Sequence, residues 1–225
     1  MSNFEDTLPL FFVSNILHKL FYVIEWQRDI YNYRAKNILL IGGYIEVFSI
    51  LERVDSDTKL HVVDVDETKC MQLRRQFSDN RLIIHNVDII QINNWIEKFD
   101  MIIMNFVLEH LYGDTKKVLE LCETLLELEG DLFISSWLPI VDEYDIEKNP
   151  EMYKYIHETS IDKLKTINLP VRDSEFFEHQ EEISKTDYND WLKFSSQYTT
   201  EKEGGLKHIG TSVFHCKKQV DEMNG

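Results

Sequence analysis

The sequence predicts an α/β fold: a doubly wound, mostly parallel sheet with helices on both faces. Three observations carry that prediction. From Asn37 to Trp137, short β-rich runs alternate with stretches of helical periodicity. The strand runs, such as Asn37–Ile41 ("NILLI") and Met101–Met104 ("MIIM"), are apolar at almost every position, as in strands buried on both faces. Gly42-Gly43 follows the first strand directly and opens a helical segment, as at the carboxyl end of a parallel strand.

Each element has its own reason. Residues 8–33 form an amphipathic helical segment, with Val13, Ile16, Leu17, Leu20, Phe21 and Ile24 at helical spacing. After strand Asn37–Ile41, a helix carries Val47, Ile50, Leu51 and Val54 on one face. Leu60–Asp64 ("LHVVD") is the second strand, and Asp66 caps a helix whose Cys70, Leu73 and Phe77 face inward. Leu82–His85 and Met101–Met104 are the third and fourth strands. Asp114 caps a helix with Val118, Leu121, Cys122 and Leu125 inward, which stops before Gly130, and Leu132–Trp137 is the fifth strand. Residues 140–205 are acidic and aromatic, with helices expected around Glu151–Thr159 and Asp187–Phe194. "KHIGTSVFHCKK" reads as a terminal strand, paired in a hairpin through a Gly204-Gly205 turn.

Bulk properties narrow the function. A chain of 225 residues supports one domain: a helical segment (1–35), a core (36–139), an elaboration (140–205) and a terminal strand (206–218). The net charge of −16 disfavours nucleic acid, anionic membranes and polyanionic substrates, and favours a neutral or cationic small molecule. Cys70, Cys122 and Cys216 are isolated, which argues against a disulfide framework or a zinc site; the eight histidines lack metal-ligand spacing, so no metal is expected. Glu5 and Asp6 oppose a signal peptide, and Asn15, His18 and Lys19 interrupt the apolar stretch from Leu8 to Trp26, so a cytoplasmic location is expected.

In such a sheet, ligands bind outside the carboxyl ends of the strands. There the sequence places Gly42-Gly43 after strand one and Asp64, followed by Val65, 22 residues beyond Gly42. It places Asp88 in "HNVDII" after strand three and "NFVLEHL", Asn105 to Leu111, after strand four. With these residues the chain resembles the class I S-adenosylmethionine-dependent methyltransferases acting on small molecules, over roughly residues 35–138. "KLHVVDVDETKCMQL" resembles the family's second strand with its ribose-binding acid, here Asp64 with Val65 beside it. "NVDII" resembles the segment whose acid bonds the adenine amino group, here Asp88, with Ile89 beside the ring. "FDMIIMNFVLEHL" resembles the fourth strand and the loop facing the methyl group, and "LLELEGDLFISSW" the helix-turn-strand that follows. The resemblance implies a seven-stranded Rossmann-like methyltransferase fold and S-adenosyl-L-methionine as cofactor, held by Gly42, Gly43, Tyr44, Glu46, Asp64, Val65, Asp88, Ile89 and Asn105.

The opening loop departs from the family's pattern. Leu40 stands where an acid belongs, Gly42 keeps the first glycine, and Tyr44 and Glu46 occupy two further glycine positions. Glu46 is either a solvated first-turn glutamate or a replacement acid that holds the cofactor's ammonium. Tyr44 either fills space belonging to the methionine portion or packs on the sheet edge. The glycine pair is also similar to that of polyamine synthases, but Asn105 stands where they carry a catalytic aspartate. His110 is the candidate base, since histidine titrates near neutrality. Trp137, Tyr112 and the aromatics of 140–200 are candidates to line an acceptor pocket. The reaction the resemblance implies is methyl transfer to nitrogen or oxygen of a small molecule, in specialised metabolism. The rivals are a non-catalytic partner subunit or binding module with a decayed loop, and transfer of another part of the cofactor.

Overall fold

A computed structural model describes residues 23, 26–28, 30–44, 46–108, 111, 115–136, 164–183 and 205–218. The apolar runs form five parallel strands: β1 Asn37–Ile41, β2 Lys59–Asp64, β3 Leu82–Asn86, β4 Phe99–Asn105 and β5 Leu126–Ser136. Between them stand α1 Glu46–Leu51, α2 Glu67–Gln76, a 3-10 helix Ile89–Asn94 and α3 Thr115–Leu125. With β6 Val171–Ile183 and β7 Gly205–Lys217 they make a seven-stranded sheet of order β3-β2-β1-β4-β5-β7-β6. β7 runs against its neighbours β5 and β6.

The sheet has a core on each face because successive side chains in a strand point to opposite sides. Ile38, Leu40, Leu60, Val62, Met101, Ile103 and Phe133 pack with Val47 and Ile50 of α1 on one face. Leu39, Ile41, Val63, Ile102, Met104, Leu132 and Ile134 pack with Val118, Cys122 and Leu125 of α3 on the other. The helix faces read from periodicity are the buried ones: Val47, Ile50, Leu51 and Val54 after β1, and Cys70 and Leu73 in α2. Asp66 caps α2 as expected, its carboxylate accepting the amides of Thr68 and Lys69 at 2.8 and 3.2 Å.

Two boundaries differ from expectation. α3 runs straight into β5, which starts at Leu126 and takes in Gly130; a register shift between Phe99 and Met101, with Glu129 at φ 62°, absorbs the extra residues. The hairpin partner of the terminal strand, β6, lies earlier in the chain than the Gly204-Gly205 turn implied. "VRDSEFFEHQEEI" lacks apolar alternation and is rich in acids, as suits a strand at a sheet edge, where charge discourages pairing with another chain. Its partner β7 is the expected terminal strand, but the hairpin does not turn at Gly204-Gly205. Ile183 pairs with Gly205, so residues 184–204 form the connection. The helices expected around 151–159 and 187–194, the Asp114 cap, and most of the N-terminal segment lie outside the described residues; residues 26–28 are helical. No helix among the described residues is long and apolar enough to cross a membrane.

Candidate active site

The strand order reverses at β1, whose neighbours are β2 on one side and β4 on the other. Connections from adjacent strands therefore leave in opposite directions at the β1 and β4 carboxyl ends, which opens a crevice. The loop from β1 to α1 floors it. Gly42 has φ +70°, a conformation that glycine adopts without penalty, and its amide donates to the Val63 carbonyl at 2.9 Å. A Cβ at Gly42 would lie 2.8 Å from Val107 Cγ2, so the glycine lets the loop after β4 close down on the loop after β1. Gly43 faces the other way: a Cβ there would meet three Leu40 side-chain atoms at 2.5 to 2.6 Å. Leu40, standing where an acid was expected, is fully buried under α1 and presents nothing to the crevice.

The nearest acid after the turn is Glu46. It is not a solvated first-turn residue: it is 3% exposed. Its Oε2 accepts the Tyr44 amide at 3.1 Å and its Oε1 accepts Asn105 Nδ2 at 3.2 Å. Tyr44 is committed to the helices, with its ring against the core under α1 and its hydroxyl donating to Gln76 Oε1 at 2.5 Å.

Asn105, the last residue of β4, is the hub of a buried network. Its Nδ2 also donates to Gln27 Oε1 at 3.0 Å, and its Oδ1 accepts from Gln27 Nε2 at 2.8 Å and Ser135 Oγ at 3.0 Å. All four hydrogen-bonding sites of this amide are therefore used within the protein. Tyr31 Oη donates to Gln27 Oε1 at 2.5 Å; burial, then the charge of Glu46, raises its phenol well above the ordinary tyrosine range. Phe106 follows with φ 54°, a left-handed conformation uncommon for a bulky side chain and characteristic of functional turns.

The second wall is built on β2. Asp64 is 8% exposed; its Oδ1 accepts the Asp66 amide at 2.8 Å and its Oδ2 pairs with Lys69 Nζ at 3.1 Å. Lys69 also reaches the Gly42 carbonyl at 3.4 Å, linking this wall to the floor. Asn86 Nδ2 donates to the carbonyls of Asp64 and Val65 at 3.0 Å each, which leaves the Val65 side chain 68% exposed. Asp88 caps the 3-10 helix, Oδ1 accepting the Ile90 amide at 3.0 Å, and Ile89 is buried in the core. His110, Tyr112 and Trp137 lie outside the described residues.

The fold thus brings Gly42, Gly43, Glu46, Asp64, Val65 and Asn105 to one end of the sheet, with Asp88 past the neighbouring β3. Sequence reasoning missed Gln27, Tyr31, Lys69, Asn86 and Ser135. A signal existed for Gln27: it lies seven residues after Leu20 and three after Ile24, so a polar amide sits on the apolar stripe.

Residues 45–132, the segment carrying α1 to β5, match the family model described as a methyltransferase domain. That segment, well under half of the chain, is similar to a methyltransferase domain. No curated protein matches this chain in sequence. Among solved structures, a candidate methyltransferase from Bacillus halodurans C-125 is similar at TM-score 0.62 and 11% identity, over 87% of this chain and 97% of that one. The N-methyltransferase NodS from Bradyrhizobium japonicum WM9, in complex with S-adenosyl-L-homocysteine, is similar at TM-score 0.56 and 15% identity, over 96% and 90%. A candidate sarcosine dimethylglycine methyltransferase from Galdieria sulphuraria follows at TM-score 0.58 and 11% identity, over 90% and 86%. At these identities the likeness is one of fold.

The family's cofactor is S-adenosyl-L-methionine, and the crevice chemistry suits it. The molecule carries an ammonium and a ribose diol, both hydrogen-bond donors. The chain presents two carboxylates, Glu46 and Asp64, around a glycine turn that brings backbone close. The Glu46 donors among the described residues are uncharged, and a carboxylate offers about four acceptor sites, of which two are filled.

Proposed function

We propose that this methyltransferase transfers a methyl group to nitrogen or oxygen of a small, neutral or cationic acceptor in the cytoplasm. When bound, S-adenosyl-L-methionine supplies a methyl group already activated on a sulfonium. The work left to the protein is binding, orientation and exclusion of water, which can account for much of the rate. In this reading Glu46 accepts from the cofactor's ammonium and Asp64 from its ribose hydroxyls. Gly42 and Gly43 give backbone access, Val65 and Ile89 flank the adenine, and Asp88 accepts from the adenine amino group through the oxygen not used in capping. Tyr44 contributes its amide by fixing Glu46, and Asn105 contributes by holding the same carboxylate. His110 takes a proton only where the acceptor arrives protonated.

The observation that carries the reading is Glu46: a carboxylate 3% exposed beside the glycine turn, held by two uncharged donors. A buried charge is costly unless paired, and an ammonium is the partner this arrangement suits. The net charge of −16 supports a non-anionic acceptor by steering cations inward and anions away. NodS, an N-methyltransferase of similar fold, makes an amine the first acceptor class to assay.

Calorimetric titration with S-adenosyl-L-methionine and S-adenosyl-L-homocysteine tests the cofactor site. Both ligands are expected to bind, and Asp64→Ala and Glu46→Gln to weaken each at least tenfold. Absence of binding at millimolar concentration, or wild-type affinity in both variants, overturns the assignment. The mass of the product tests the reaction: a gain of anything other than methyl rules out simple methylation.

A further inference from the structure

The paired amides of Gln27 and Asn105 link residues 78 positions apart, and nothing in the family resemblance or in the proposed reaction requires them. Gln27 is 0% exposed, on the helical segment that precedes β1. It meets Asn105 in a two-way pair, Nε2 to Oδ1 at 2.8 Å and Nδ2 to Oε1 at 3.0 Å. A carboxylate can only accept, so Glu46 dictates which end of the Asn105 amide faces it. That choice turns Asn105 Oδ1 toward Gln27 Nε2, and Tyr31 and Ser135 complete the set as donors. Every member of the chain has one orientation that satisfies its neighbours. A polar network of this kind specifies geometry as well as adding stability.

We propose that Gln27 is a positioning residue for the cofactor's amino-acid end. It locks the Asn105 side chain, Asn105 in turn aims the Glu46 carboxylate, and the N-terminal helical segment thereby sets the ammonium subsite. This rests on the assignment of Glu46 as the ammonium acceptor and goes beyond it. Removing Gln27 takes two of the four hydrogen bonds from Asn105, leaving it Ser135 and Glu46, and so loosens the side-chain donor to Glu46 while the Tyr44 amide stays in place. At the adenosine end, built on β2, the Asp64 carboxylate bonds the Asp66 amide and Lys69 rather than Gln27, Asn105 or Glu46.

The test compares two ligands that differ at that end. S-adenosyl-L-homocysteine has the ammonium, whereas 5′-methylthioadenosine has the adenosine portion and thioether without the amino acid. Gln27→Met preserves length and removes every polar atom of the amide. It is expected to weaken S-adenosyl-L-homocysteine about tenfold or more while leaving 5′-methylthioadenosine within about twofold. A merely structural role would weaken both alike. Gln27→Glu keeps the shape and the acceptor for Tyr31, removes the donor to Asn105, and brings a second negative charge to the network. It is expected to show the same selectivity, and serves if the methionine variant does not fold. Glu46→Gln measured alongside separates the two claims. Selective loss in Glu46→Gln together with equal or no loss in the Gln27 variants overturns this inference and leaves the Glu46 assignment standing. Absence of selective loss in Glu46→Gln overturns both.

Discussion

Gly43 has no room for a methyl group because Leu40 already fills that space. Two departures from the family's loop, an apolar residue in place of an acid and a second consecutive glycine, are thus one packing solution. The strand-one leucine turns under α1, and the turn must lack a side chain where the leucine rests. Gly43→Ala is expected to destabilise the fold by about 1–3 kcal/mol, the usual cost of overpacking. In a double-mutant cycle with Leu40→Ala the two losses should sum to more than the double variant loses, since removing the leucine empties the space the new methyl needs. Denaturant titration of the three variants measures this, and strict additivity would refute the contact. Glu46 is inside, held by the Tyr44 amide and Asn105. The sequence showed that an acid was missing and another was nearby, but not that the second is buried against Asn105 at the end of β4. That outcome depends on Tyr44 leaving with α2, a hydrogen bond to Gln76 that no local pattern encodes.

Among the elements, α2 has the clearest sequence origin. Asp66 precedes a run with inward positions three and four apart, and it caps as read. Asp66→Ala removes the acceptor for two first-turn amides and should cost about 1 kcal/mol, lowering the melting temperature by about 2–4 °C. Asp66→Asn should recover most of the loss in the same thermal melt, because an Asn side chain caps comparably. An alanine variant that melts with wild type would show that tertiary packing alone holds this helix. Elements with a periodic signal of this strength, β1 to β5 and α1 to α3, were legible for that reason. β6 was not: an acidic edge strand lacks the alternation that marks a half-buried one, and its pairing with β7 across residues 184–204 is a long-range fact. The Gln27–Asn105 pair was illegible for a related reason. Hydrogen bonds between segments 78 residues apart leave no period in either, and only a polar residue on an apolar stripe hinted at one end.

At the scale of the whole molecule, a pair of imidazoles in the sheet is expected to set acid stability just below neutrality, ahead of the surface charge. His61 on β2 is 3% exposed, its Nδ1 lies 3.2 Å from His85 Nε2 on β3, and the rings stack at 5.3 Å. Trp95 and Phe99 close the cluster, and among the described residues His61 Nε2 has no hydrogen-bond partner, with Glu97 Oε2 at 3.7 Å. Burial lowers both imidazole pKa values below the ordinary histidine range. Glu97 opposes the shift at both rings; Lys59 and the His85 ring reinforce it at His61, and Arg74 at His85. Groups with a depressed basic pKa hold fewer protons folded than unfolded. Stability is therefore complete above the unfolded histidine value of about 6.5 and is lost as pH falls toward the folded values. Relief of the −16 net charge acts in the opposite direction, but most carboxylates protonate only below about pH 5. Between pH 7.5 and 5.5 the histidines should dominate, so the melting temperature should fall across that interval. His61→Phe, with an aromatic ring in an aromatic cluster and no proton to gain, should flatten the slope. A wild-type melting temperature that holds or rises toward pH 5.5 would assign control of acid stability to the surface carboxylates instead.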